Sequence, residues 1–145
     1  MRGRKEDKKR DLKARTRDFA LRIIRLYSAL PKTVESQIVE RQLLKSGTSP
    51  GAHYREGQRA KSNADFISKM EGALQELEET QYWLEIISSS GMMPNEKLRP
   101  LTLECDELIA IFVTNTKARL KSRMKDEGAE RRTMIFILHP SSFIL

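Results

Sequence analysis

Apolar side chains recur every three or four residues over most of the chain, and that period fixes the class of fold. Phe66, Met70, Ala73, Leu77, Thr80, Leu84 and Ile87 form one series. Leu98, Leu101, Cys105, Leu108, Phe112 and Thr116 form a second. Phe19, Ile23, Leu26, Tyr27 and Leu30 form a shorter one. Side chains so spaced share one face of an α-helix. The predicted helices span about 15–30, 34–60, 64–89 and 96–125. No strand alternation competes with them, and short breaks join them. An all-α, up-down-up-down four-helix bundle is the expected fold.

The punctuation agrees with this reading. Pro31 ends the first helix, because proline disfavours helical geometry in the residue before it. Ser62 offers an N-cap to the third, with Asp65 three positions on. Ser88, Ser89, Ser90 and Gly91 end the third helix. Pro100 fits the first turn of the fourth. The second helix is the least regular. Val34, Ile38, Leu43 and Leu44 supply its apolar positions, and Ser46-Gly47-Thr48-Ser49-Pro50-Gly51 then interrupts. Either the helix kinks near 47–51, or two helices stand in line with Thr48 or Ser49 capping the second.

Three parts follow from this: a basic arm over 1–14, the bundle over 15–125, and a tail over 126–145. The tail carries the run Met134-Ile135-Phe136-Ile137-Leu138 and a second apolar end. A strand, a segment docked on a helix and an aggregation-prone end all remain open for it. The third and fourth helices carry more apolar positions than a lone small bundle needs. The surplus predicts an interface.

Charge divides the chain further. There are 27 Lys and Arg against 20 Asp and Glu, a net charge of +7. Residues 1–70 carry +10, residues 71–107 carry −7, and residues 117–132 carry +4. Basic segments of this kind can neutralise phosphates. They can equally be solvated faces, or partners for an acidic helix on another subunit. The candidate phosphate contacts are Arg2, Arg4, Lys5, Lys8, Lys9, Arg10 and Lys13 at the start, and Lys117, Arg119, Lys121 and Arg123 near the end of the fourth helix.

Catalytic signatures are absent from the sequence. Pro50 stands three before His53 and Phe136 three before His139, so neither histidine belongs to the Glu-x-x-His pairs of carboxylate-bridged metal bundles. No HExxH, Walker, GxSxG or GxGxxG pattern occurs. The lone Cys105 cannot form an internal disulfide and falls on an apolar seam. No metal, cofactor or enzymatic activity is expected. Glu76, Glu78, Glu79 and Glu85 give the third helix an acidic face, readable as a cation site, a dock for a basic partner or a solvated surface. Tyr82 and Trp83 could stack on bases or pack between helices. Arg55, Glu56, Arg59 and Lys61 could order a polar cluster. No signal peptide and no run of apolar residues long enough for a membrane span is seen, so cytoplasmic residence without a membrane partner is expected.

The string Lys45-Ser46-Gly47-Thr48-Ser49-Pro50-Gly51-Ala52-His53-Tyr54-Arg55-Glu56-Gly57 carries a resemblance. So do Ala64–Met70, Ala73–Thr80 and Tyr82-Trp83-Leu84, in the same order and spacing. Together they resemble the bacterial four-helix-bundle family of 23S rRNA intervening-sequence proteins. The accessory variability determinant of diversity-generating retroelements is related to it. The resemblance spans about residues 15–122, with Ser49, His53, Tyr54, Arg55, Glu56, Glu76 and Trp83 as its structural motif positions. It implies a ring-shaped homopentamer without known enzymatic activity. The retroelement relatives bind a reverse transcriptase and nucleic acid through a basic surface. Pro50 and His53 stand where the family pattern has an apolar residue and an asparagine. The resemblance and the charge together predict a homo-oligomer that binds RNA or DNA. The alternative is an oligomeric adaptor, for a reverse transcriptase for example, that does not itself touch nucleic acid.

Overall fold

The computed structural model describes residues 11–138, and all four predicted helices are present. They are α1 (Leu12–Ala29), α2 (Val34–Gln58), α3 (Asn63–Ser89) and α4 (Asn95–Leu138). No strand occurs among the described residues.

Local chemistry sets the ends. Asp11 caps α1 by accepting from the Ala14 N–H at 3.1 Å. Thr33 caps α2 through the Ser36 N–H at 3.2 Å, and Ser62 caps α3 through the Asp65 N–H at 3.1 Å. Each cap satisfies a backbone donor that has no partner within the helix. Past the end of α3, Gly91 takes the left-handed conformation at φ 77°, which a side chain would resist. Pro100 sits deeper in α4 than the sequence suggests. The helix starts at Asn95, so Pro100 lies beyond the first turn. Its missing N–H leaves the Glu96 carbonyl, at an exposed position, without its usual helical partner.

Successive helices run antiparallel. Ser46 meets Thr80 and His53 meets Gly72 across α2 and α3. The Cys105 thiol donates to the Leu77 carbonyl across α3 and α4 at 3.3 Å. Arg15 on α1 reaches Glu104 at 2.8 Å and Glu107 at 3.2 Å on α4, closing the fourth side. The core follows the expected series. Phe19, Ile23, Met70, Ala73, Leu77, Leu84, Ile87, Leu98, Cys105, Leu108 and Phe112 are all buried.

The second helix departs from expectation in two ways. It is one helix through Pro50, so two helices in line do not form. Thr48 and Ser49 do not cap a new start; their hydroxyls donate backward to the carbonyls of Leu44 at 2.7 Å and Lys45 at 2.6 Å. Such back-bonding keeps the turn helical around the proline. The buried face is also different. Val34 and Ile38 are exposed, at 74% and 61%, whereas Ser36, Glu40, Leu43, Ser46, Gly47, Pro50 and Gly51 are buried. Small residues line this face because α1 comes close. A Cβ on Gly47 would stand 2.6 Å from Ile23 Cγ1, and one on Gly51 3.2 Å from Thr16 Oγ1.

The stretch after 125, left open in the sequence, continues α4 as helix to Leu138. No helix among the described residues is long and apolar enough to cross a membrane.

Candidate nucleic-acid interface

An antiparallel bundle brings the two ends of this chain together. The start of α1, the end of α2, the start of α3 and the outer part of α4 all lie at one pole. The basic segments that flank the acidic middle of the sequence are therefore neighbours in space.

Two adjoining clefts mark this pole. One of about 300 Å³ is lined by Lys13, Arg55, Glu56, Gln58 and Arg59. The next, about 340 Å³, shares Gln58 and is lined by Lys61, Asn63, Phe66 and Arg119 among others. Lys13, Arg55, Arg59 and Lys61 are exposed. The acidic residue in the first cleft is already engaged. Glu56 binds Lys69 of α3 at 2.8 Å, not the adjacent Arg55. Neighbouring helical residues point apart, so Arg55 cannot reach it and stays directed to solvent. The bond from Lys69 and its charge hold the Glu56 carboxyl below its usual range, and the same contact raises the Lys69 pKa.

Lys117, Arg119, Lys121 and Arg123 are all exposed on α4. They do different things. Arg119 donates to Asn63 Oδ1 at 2.9 Å, and its guanidinium lies 4.6 Å from the centre of the Phe66 ring. Arg123 pairs with Glu127 at 2.8 Å. Lys117 and Lys121 form no ion pair among the described residues and lie one turn apart. Lys125 continues their row at the same interval; sequence reasoning missed it, although the four-residue spacing is legible. Of the N-terminal candidates only Lys13 is described. Arg2, Arg4, Lys5, Lys8, Lys9 and Arg10 lie outside the described residues, and they precede the first turn of α1 at this pole.

The motif residues are mainly architectural. The Tyr54 ring meets Phe112 edge-on at 6.0 Å, and burial, helped by Asp11, raises its phenol pKa. The half-buried His53 ring lies over Gly72, where a Cβ would stand 3.2 Å from its Cε1. Its Nδ1 is buried without a partner, as is Glu76 Oε2. Trp83 packs on the core and donates to Glu79 at 3.3 Å. Tyr82 beside it is exposed. Burial, with Asp106 and Glu104 nearby, pushes the Cys105 thiol up to about 12, so it behaves as packing and not as a nucleophile.

Glu78 and Glu85 are exposed on α3, with Glu76 and Glu79 partly buried. No group of three or more His, Cys, Asp or Glu among the described residues is placed to hold a metal ion. A mainly apolar cleft of about 330 Å³ opens between Leu12, Tyr54 and Ile111, with Glu107 as its sole ionisable carboxylate.

The comparisons with known proteins agree with the architecture. Comparison with curated proteins gives no match. Among solved structures, the chain is similar to a Bacteroides thetaiotaomicron protein, described as of unknown function and from the S23 ribosomal protein family. The two are 34% identical with a TM-score of 0.70, over 76% of this chain and 98% of that one. The family model for 23S rRNA-intervening sequence proteins matches residues 8–114. The chain belongs to the 23S rRNA-intervening sequence protein family.

Proposed function

We propose that this protein is a non-enzymatic, homo-oligomeric bundle that binds RNA or DNA through the basic pole, acting in the cytoplasm. The observation that carries the reading is the convergence of Lys13, Arg55, Arg59, Lys61 and Arg119 on two clefts that share Gln58. Lys117 and Lys121 extend the same surface along α4, and residues 1–10 add six further cations at the same end. Lysines and arginines in such a row bind phosphates by releasing counterions, with little regard to sequence. A homopentameric ring, as the resemblance implies, would repeat the surface and raise weak binding by avidity.

The test is retention of RNA or DNA by nuclease-treated, repurified protein. Retention at low salt that weakens as salt rises supports the reading. Absence of retention at low salt contradicts it.

A second reading, an adaptor for a protein such as a reverse transcriptase, is favoured by the exposed strip Glu71, Glu78, Tyr82 and Glu85 along α3. A partner that co-purifies despite nuclease treatment, with no nucleic-acid binding by the protein alone, supports that reading instead.

A further inference from the structure

Past Thr116 every described residue of α4 is exposed except Gly128, so the helix leaves the bundle as an arm. The family match ends at residue 114, before this arm begins. At about 1.5 Å per residue, 117–138 is roughly 33 Å of helix. A helix of that length without neighbours is marginal in water. This one also exposes Met124, Met134, Ile135, Ile137 and Leu138 at 49–71%. Solvent alone is a poor environment for it.

The arm has a seam. Leu120, Met124, Glu127, Arg131, Met134 and Leu138 follow one another at alternating steps of four and three, the spacing of a coiled-coil core. Read from either end, the seam runs apolar, apolar, charged, charged, apolar, apolar, with the acid and the base exchanged about its centre. That symmetry selects the partner and its direction. In a parallel pair Glu127 would face Glu127 and Arg131 would face Arg131. In an antiparallel pair Glu127 faces Arg131 twice, Met124 faces Met134 and Leu120 faces Leu138. Like charges oppose each other in one arrangement and are matched in the other.

We propose that the arm docks on the arm of a second copy of this chain, as an antiparallel two-helix coiled coil about a twofold axis near residue 129. The interface is isologous, so each copy presents the same surface. Gly128 lies beside the axis with nothing within 4 Å of a Cβ built on it, so it admits close approach of the second backbone. Glu127 is held by Arg123 in the single copy at 2.8 Å, with both side chains about half exposed. That bond turns the carboxylate without burying it. Lys117 and Lys125 lie off the seam and remain available to phosphates. The pairing is separate from nucleic-acid binding and from any ring contact made by the bundle.

Cysteine cross-linking of nuclease-treated protein tests both the contact and its direction. Met124→Cys and Met134→Cys are made as separate variants and oxidised alone or mixed. The antiparallel register puts residue 124 of one copy against 134 of the other, within disulfide reach. The expected result is a covalent dimer in the mixture and monomer bands from each variant alone. Cross-linking of either variant alone, or none in the mixture, overturns the proposal. The buried Cys105 supplies no competing thiol. Native mass gives an independent reading. Glu127→Arg or Arg131→Glu should halve the mass of the particle, and the two together should restore it. An unchanged mass in both single variants overturns the proposal. Helicity retained from the bundle would show that a lost contact is not a lost fold.

Discussion

Lys32 Nζ stands 3.0 Å from Glu40 Oε2 at the turn between α1 and α2, and the Glu40 side chain is 1% exposed while Lys32 is half in solvent. The lysine also donates to the Tyr27 carbonyl at 2.8 Å. A buried carboxylate is costly unless paired, and here a single flexible cation reaches it. Lys32→Met should therefore destabilise the fold by about 1–3 kcal/mol, the lower part of the range for stranding a buried charge, because Lys32 is partly hydrated. Glu40→Leu in the same background should recover most of the loss. Urea unfolding of the three proteins checks this.

Gly47 marks the closest approach of α1 and α2, with a built Cβ at 2.6–2.9 Å from three atoms of the buried Ile23 side chain. Gly47→Ala gains helix propensity but must displace Ile23. Overpacking should dominate, with a net loss of about 1–3 kcal/mol. Adding Ile23→Val should return part of it, a coupling that a double-mutant cycle measures.

The folded-state pKa of Glu56 lies below its ordinary 4.5, so the stability it contributes is present above that value and fades as pH falls through the lowered one. The pKa of Lys69 is raised above 10.5, so its contribution is complete below 10.5 and fades as pH rises through the raised value. Both groups are exposed, and the effect on stability is small. NMR titration should show Glu56 returning towards the ordinary carboxylate range in Lys69→Ala.

Cys105 should resist thiol reagents near pH 8 in the native protein and react fully on unfolding, since its thiol pKa is pushed up to about 12. Labelling by a maleimide with and without denaturant checks this. Rapid native labelling would mean that α3 and α4 separate far more readily than their packing implies.

The helices of α1, α3 and α4 were legible because their apolar residues are large and periodic. Leu77, Leu84, Leu108 and Phe112 announce a face wherever they fall in a helix. The buried face of α2 was not, because close packing against Ile23 and Thr16 selects glycine and serine. Hydrophobic pattern then points to Val34 and Ile38, which are exposed. The burial of Glu40 needed the same knowledge of helix separation. The basic residues were visible one by one, but their meeting was not. Lys13, Arg59 and Arg119 share a pole only once three antiparallel turns have been made. The helical run to Leu138 was hidden by its apolar end, which suits several structures equally.

The salt dependence of nucleic-acid affinity tests the central claim most directly. Binding of single-stranded RNA by the intact protein is measured from about 50 to 200 mM salt, together with Lys117→Ala/Lys121→Ala. The claim predicts a steep linear fall of log K with log salt in the intact protein. The variant should bind more weakly for every RNA sequence, with a slope shallower by about 1.4 for each of its sites engaged. Affinity that is independent of salt, or a slope identical in the two proteins, would contradict it.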